Sequence, residues 1–207
     1  LNAIRIQRLK DKLGNHANAS SEVEFDGALG WLIGEEMAGM RAMFTMMNNA
    51  RLNVGLQGVS IGERATQAAV AYARQRLQGA REGRPAAIAD HPDVRRMLLR
   101  MTALTQAARS LCYYAAGQTD RGTLGDRAAQ ARADLLTPLV KAYGTDIGCE
   151  VASLGVQVYG GMGFIEETGA AQHYRDIRIA PIYEGTNGIQ AADLVGRKLG
   201  LEGGETL

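Results

Sequence analysis

The sequence predicts a mainly α protein, an antiparallel four-helix bundle with a short β remnant at its N-terminus. Three observations carry this. Alanine and glycine are abundant while only 5% of residues are aromatic, which suits closely packed helices better than a β-sandwich. Apolar residues recur with a period near 3.6 over several long stretches. A short leading segment instead offers strand candidates. At 207 residues, 46% of them apolar, the chain is long enough for one sizeable core or for a domain with an appendage.

In chain order, Ile4 to Leu9 and Val23 to Phe25 are the strand candidates, flanking a polar loop from Gly14 to Ser21. Two strands alone are marginally stable, so residues 1–33 are expected to belong to a larger sheet, with Trp31 to Gly34 leading into the helices. Glu35 to about Gly79 reads as helix, with a possible break at Asn48-Asn49. Its first half carries Met37, Met40, Met43, Met46 and Met47, a stripe that serves as core more often than as a binding surface. Its second half, Arg51 to Arg76, has small residues on several faces, as a central helix with close neighbours requires.

Gly79 to Asp90 reads as a turn-rich loop. Val94, Met97, Leu98, Met101, Leu104, Ala108, Leu111, Cys112 and Ala115 then mark an amphipathic helix. Residues 117–131 read as a polar, mobile linker. A helix from about Asp134 to Tyr159 follows, with Leu135, Leu136, Leu139, Tyr143, Ile147, Val151, Leu154 and Val158 on its apolar side. Gly160-Gly161-Met162-Gly163 ends it. A short helix around Gly169 to Arg175 and a final one after Thr186 complete the bundle, which spans residues 34–203.

Charge and composition exclude several functions. With 23 basic and 22 acidic residues and no basic tract, nothing marks a nucleic-acid binder. Cys112 and Cys149 fall in helical patterns and read as core thiols. His16, His91 and His173 lack ligand spacing, so no metal site is expected. No apolar run reaches the length of a membrane span and no signal-peptide pattern opens the chain, which makes the cytoplasm the default compartment. The chain starts at Leu1, directly in structured-looking sequence, and is expected to be a piece of something longer.

The stretch with the most chemistry in it is Arg175 to Gln190. Glu184 stands between an apolar, extended-looking approach (Ile179 to Tyr183) and a run of small and amide residues. Thr186 reads as an N-cap, and Ile189, Ala192, Val195 and Leu199 recur at helical spacing, with Gly200 as the stop. Gly185 and Gly188 allow ligand atoms close to the backbone. The alternative is that Glu184 is one more acid near a helix start, where acids are common. The Gly160 to Gly163 run follows a helix rather than a strand, so it is no Rossmann fingerprint. It is either a helix C-cap or backbone lying against a flat or phosphate-bearing ligand. Arg74 and Arg76 suit pyrophosphate as a planar fork, or serve merely as cations at a helix end; Arg51 is similarly two-sided.

Taken together, Gln157-Val158-Tyr159-Gly160-Gly161-Met162-Gly163-Phe164, then Tyr174-Arg175-Asp176, then Ile182-Tyr183-Glu184-Gly185-Thr186-Asn187-Gly188-Ile189-Gln190 resemble the C-terminal domain of acyl-CoA dehydrogenases in order and spacing. Arg51 and the stretch from Tyr72 to Gly79 also resemble that family, and the likeness covers roughly residues 20–200. It implies an FAD enzyme that converts an acyl-CoA thioester to the trans-2-enoyl-CoA, with Glu184 as the base that removes the α-proton. It also implies that residues 1–33 are a remnant of the middle β-domain. Arg76 and Gln78 resemble contacts to FAD phosphates, Gln157, Val158, Tyr159, Gly160 and Gly161 contacts to its adenosine side, and Thr186, Asn187 and Gly188 further FAD contacts. Arg51, Tyr183 and Gly185 resemble residues beside the acyl-CoA. In the family the first two groups reach the FAD of a neighbouring subunit, which implies a homodimer or homotetramer, and electrons pass to an electron-transferring flavoprotein.

Some family members carry the base just before the position of Arg51; here that residue is Ala50, leaving Glu184 without a rival. Three positions depart from the family pattern. No aromatic precedes the glycine at Gln78-Gly79, the usual His-Gln reads His91-Pro92, and an expected Asp is Asn48. The polar stretch and the Met-rich helix resemble the larger bacterial members, some linked to methylthiopropionyl-CoA. An acyl-CoA oxidase is the alternative within flavoenzymes, and a non-catalytic oligomerisation bundle the alternative outside them. Alone, without the family's other domains, the chain is expected to be a poor enzyme.

Overall fold

The computed structural model describes residues 2–206; Leu1, the first residue of the expected β remnant, lies outside the described residues. Three long helices form the body: α1 (Gly39–Gln75), α2 (Pro92–Thr123) and α3 (Arg127–Tyr159). Two short helices, α4 (Ala170–Ile177) and α5 (Asn187–Asp193, continuing as a π turn over Leu194–Lys198), pack on α3 and complete the antiparallel bundle. Strands β1 (Ile4–Leu9) and β2 (Ser21–Phe25) pair antiparallel from Ile4 opposite Phe25 to Leu9 opposite Ser21. Among the described residues, no helix is long and apolar enough to cross a membrane.

The core runs between α1, α2 and α3 through Val59, Ala69, Met101, Ala108, Cys112, Val140, Val151 and Val158. Cys112 and Cys149 are both free thiols, and burial pushes Cys112 up to about 11. A second cluster, Val54, Ala152, Ile177 and Ala180, joins α1 and α3 to α4 and the chain just after it. The closest approach is between α1 and α3, where glycines from both helices meet. A Cβ on Gly58 would lie 1.9 Å from the Gly144 carbonyl oxygen, and one on Gly55 2.6 Å from that of Val140. Gly55 lies one turn after Arg51 on α1, and Gly144 one turn after Lys141 on α3.

Five expectations need correction. Residues 117–131 are not a mobile linker: α2 runs to Thr123, α3 starts at Arg127, and only a tight turn separates them. The polar composition is that of a helical hairpin's outer faces, with Thr119 and Thr123 hydroxyls bonded back to the carbonyls one turn earlier. Residues 79–90 are not loop but mostly a β-hairpin, β3 (Leu77–Arg81) and β4 (Arg84–Ala87), followed by a 3₁₀ turn. The connecting Glu82 and Gly83 have φ of 53° and 75°, the left-handed pair that tight hairpins need. Helix α1 starts at Gly39 rather than Glu35 and passes through Asn48-Asn49 unbroken.

The methionine stripe is not core: Met37, Met40 and Met46 are at least 63% exposed, and among the described side chains burial on α1 begins only at Arg51. Finally, Ile179 to Tyr183 is not extended. It is a series of turns in which the Ile179 carbonyl accepts from the N–H groups of Ile182 and Tyr183.

Candidate functional site around Glu184

Glu184 sits on a backbone that its side chain disfavours. Its φ is 57° and that of Gly185 is 88°, so two successive residues occupy the left-handed region. For a residue with a Cβ this costs about 1–2 kcal/mol, and the turn persists because it is held at both ends. Upstream, Arg51 on α1 donates from Nε to the Glu184 carbonyl oxygen at 3.3 Å, and the Tyr183 hydroxyl bonds to the Gln57 amide. Burial, helped by the Glu184 charge, pushes the Tyr183 hydroxyl above its ordinary range despite the Gln57 bond. Downstream, Gln190 Nε2 donates to the Gly185 carbonyl at 3.1 Å and the Asn187 N–H to the Pro181 carbonyl at 3.0 Å. The Thr186 side chain caps α5, accepting from the Ile189 N–H, as expected for its position. The Glu184 side chain itself is half-buried.

Helix α5 is turned opposite to its apolar pattern. Ile189 and Val195 are 53% and 69% exposed, while Gln190 and Asp193 are 1% and 4% exposed. The polar face is inward because it meets Arg51, whose side chain is only 7% exposed and whose Nη1 lies 3.7 Å from Asp193 Oδ2; Arg197 approaches the other oxygen at 2.6 Å. Arg51, expected beside a substrate, is thus buried beneath the Glu184 turn. Gly185 is required here on two counts, its φ and the 2.7 Å that would separate a Cβ from Gln190 Nε2.

Asn187 turns its side chain into α3. Its Oδ1 accepts from Lys141 Nζ at 2.9 Å, and its Nδ2 donates to Asp146 Oδ1 at 2.7 Å and to Thr145 Oγ1 at 3.1 Å. Lys141 has no solvent exposure at all, and burial lowers its pKa from 10.5 to about 8, opposed by Asp146 and Glu184 and reinforced by Arg51. The sequence reading missed Lys141, Asp146, Gln190 and Asp193. A signal existed for Lys141: it interrupts the apolar side of α3, beside Val140.

A separate cleft of about 500 Å³ lies between the end of α1, the β-hairpin and the end of α3. It brings together Arg76, Gln78, Val158, Tyr159, Gly160 and Gly161, six of the residues singled out from sequence; Gln157 is exposed nearby on α3, while Thr186, Asn187 and Gly188 do not line it. Tyr72 and Tyr159 stack with ring centroids 4.0 Å apart and form its wall. Gly160 (φ 60°) and Gly161 have nothing within 4 Å of where a Cβ would be, leaving bare backbone facing the cleft. His91, of the His91-Pro92 that departs from the family's His-Gln, sits at the N-cap position of α2 without a side-chain capping bond and bonds through Nε2 to the Gln78 carbonyl at 2.8 Å.

The Arg175-Asp176 pair is structural. Arg175 makes a paired bond to the Glu166 carboxylate at 2.6 and 2.7 Å, and Asp176 Oδ1 accepts from the Asn15 N–H at 2.7 Å. Asp176 thereby docks the β1–β2 loop on α4. The described residues contain no group of His, Cys, Asp and Glu placed to hold a metal.

Comparison with known proteins gives this geometry a lineage. A family model described as the C-terminal domain of acyl-CoA dehydrogenase matches residues 37–199. A 3-methylmercaptopropionyl-CoA dehydrogenase of Ruegeria pomeroyi is 52% identical over 215 residues, covering 99% of this chain and 36% of that protein. Two solved structures share the fold: an acyl-CoA dehydrogenase complexed with FAD from Bacillus anthracis (TM-score 0.85, 28% identity, 94% of this chain and 35% of that one) and Caenorhabditis elegans ACDH-11 in complex with C11-CoA (TM-score 0.87, 26% identity, 98% and 34%). The chain spans about a third of the length of these relatives. A match over nearly the whole bundle, with half the residues shared with one relative, establishes that this chain belongs to the acyl-CoA dehydrogenase family and carries its C-terminal domain.

Proposed function

We propose that the protein bearing this domain is an FAD-dependent acyl-CoA dehydrogenase in which Glu184 removes the α-proton of the thioester, with residues 1–33 as part of its middle domain and 34–203 as its helical domain. The observation that carries this reading is the Glu184 turn: a half-buried acid on a left-handed backbone, anchored on both sides by hydrogen bonds from three different helices. Backbone strain of this kind persists only where surrounding structure holds it, and it clusters at functional sites. A helix-start acid with no chemical task has no need of such anchoring.

The residues present fit FAD. The cleft offers a cation (Arg76), an amide (Gln78), exposed glycine backbone (Gly160, Gly161) and an aromatic-apolar wall (Tyr159, Val158), a donor set suited to a pyrophosphate with an attached flat ring. Bound FAD supplies the acceptor for the β-hydrogen and its electron pair. Everything else falls to this chain's own side chains. Glu184 takes the α-proton onto its carboxylate, a contribution of about 10²–10⁴ in rate. Gly185 and Tyr183 shape the approach of the thioester, while Thr186 and Gly188 present exposed surface to the cofactor. Asn187 and Arg51, both engaged within the chain, act by holding the turn.

The cleft and the Glu184 turn are separate surfaces of one chain, which suits contact with two FAD molecules in a homodimer or homotetramer. A methylthiopropionyl or short straight-chain thioester is the substrate class we favour, on the strength of the 52% identical relative; electrons then leave to an electron-transferring flavoprotein.

The test is anaerobic loss of the oxidised flavin absorbance in the full-length protein with a panel of acyl-CoAs. The parent is expected to bleach within seconds with at least one of them, and Glu184→Gln to bind FAD and acyl-CoA without bleaching. Parental rates in the variant would remove Glu184 from its role. A parent that holds FAD yet bleaches with no acyl-CoA would favour the non-catalytic bundle.

A further inference from the structure

A fully buried lysine is costly, because its ammonium loses water and recovers it only through good partners. Lys141 has just such a place, with no exposure, on the face of α3 that packs under the Glu184 turn. Its ammonium donates to a neutral oxygen, Asn187 Oδ1 at 2.9 Å, rather than to a carboxylate in direct contact. The charged groups acting on it come from three directions: Asp146 from α3 itself, Arg51 from α1 and Glu184 from the turn. An apolar side chain of similar length would satisfy the packing without the desolvation.

We propose that Lys141 is the positioning residue of this site: through Asn187 it pins the downstream end of the Glu184 turn, and its ammonium stands as the buried counter-charge to the carboxylate which that turn presents. With Glu184 as the base proposed above, the geometry follows from the chain's own connectivity. Asn187 is three residues after Glu184 and follows directly on the cap of α5. Its amide is held in one orientation, Oδ1 toward Lys141 and Nδ2 toward Asp146 and Thr145. Any slackening there is transmitted through Thr186 and Gly185, whose own hydrogen bonds go to α5 rather than to α3. Glu184 would then be free to leave its left-handed conformation and swing its carboxylate out of line.

The experiment uses the full-length flavoenzyme and the acyl-CoA that bleaches the parent fastest in the panel above. Bound FAD, affinity for the enoyl-CoA product and the limiting rate of flavin reduction are measured across pH for the parent, Lys141→Met, Asp146→Asn and Glu184→Gln. Lys141→Met is expected to hold FAD and product within about threefold of the parent while reduction slows at least about tenfold, the signature of lost alignment rather than lost binding. The parent is expected to lose rate above about pH 8, where Lys141 gives up its proton, and Lys141→Met to lack that limb. Asp146→Asn removes the acid that supports the ammonium and should move the limb to lower pH; its exposed position makes misfolding no obstacle.

A Lys141→Met rate within twofold of the parent with an unchanged pH profile overturns the inference. So does an Asp146→Asn limb that stays in place, which decides the matter even if Lys141→Met fails to fold. Normal flavin reduction by Glu184→Gln instead overturns the assignment of the base.

Discussion

Arg51 and Glu184 are 133 residues apart in sequence and joined by a 3.3 Å hydrogen bond from guanidinium to carbonyl oxygen. The same guanidinium faces Asp193 on α5, so one buried cation ties α1 to both ends of the segment that carries the acid. Replacing Arg51 by Met leaves Asp193, 4% exposed, with Arg197 alone. Removing one member of a buried pair costs about 3–5 kcal/mol; the long 3.7 Å separation and the remaining Arg197 contact reduce our expectation to about 2 kcal/mol. Urea unfolding of Arg51→Met should show that loss, together with slower flavin reduction in the full-length enzyme.

Glu184 pays for its function in conformation. At φ 57°, Glu184→Gly should relieve about 1 kcal/mol of backbone strain while abolishing flavin reduction. Equal or raised stability with lost activity is the expected pair of results from a denaturation curve and a bleaching trace. A clear loss of stability would show that the acid's own contacts, rather than the anchors, hold the turn.

The glycine contact between α1 and α3 makes a second, purely structural prediction. Gly58→Ala would place a methyl group 1.9 Å from the Gly144 carbonyl oxygen, a backbone atom that cannot move without separating the helices. Overpacking typically costs about 1–3 kcal/mol, and this case should reach or exceed the upper end. Gly117→Ala, on α2 with open space around it, should be neutral or stabilising by up to about 1 kcal/mol. Thermal melts of the two variants side by side test the difference.

Stability should also depend on pH through Lys141. Its pKa is about 8 folded against an ordinary 10.5, so between those values the unfolded chain holds a proton that the folded chain has released. Stability then rises with pH across that window, and below about 8 the buried charge is a fixed cost. Denaturant midpoints measured from pH 7.5 to 10 should rise in the parent relative to Lys141→Met, which lacks the group.

Much of the architecture was legible before any coordinates. The spacing of Met97, Met101, Ala108, Cys112 and Ala115 marked the buried face of α2, and all five are buried. Thr186 caps its helix as read. The cleft gathers Arg76, Gln78 and the residues around Gly160, which lie some eighty positions apart in the chain. Local chemistry misled where it had two solutions. The polar stretch at 117–131 has the composition of a linker and of a solvated helical hairpin alike, and the contact of Gly122 with Gln130 favours the second. The methionines have the spacing of a core face, yet α1 projects past its partners there and leaves them exposed.

The sequence by itself determined the helical class, the stop of α3 at Gly160, the cap of α5 at Thr186, and which acid stands among glycines in the family's motif. These depend on properties of neighbouring residues: periodicity, capping and backbone freedom. Tertiary structure alone decided that α5 buries Gln190 and Asp193 rather than Ile189 and Val195, that Arg51 lies under the turn, and that Lys141 meets Asn187. The physical reason is that burying a polar group is favourable only when a partner is already there, and the two buried cations that make this polar face worth burying, Arg51 and Lys141, come from helices more than forty residues away. Hydrophobic periodicity reports which face is apolar. It does not report where a buried cation is waiting.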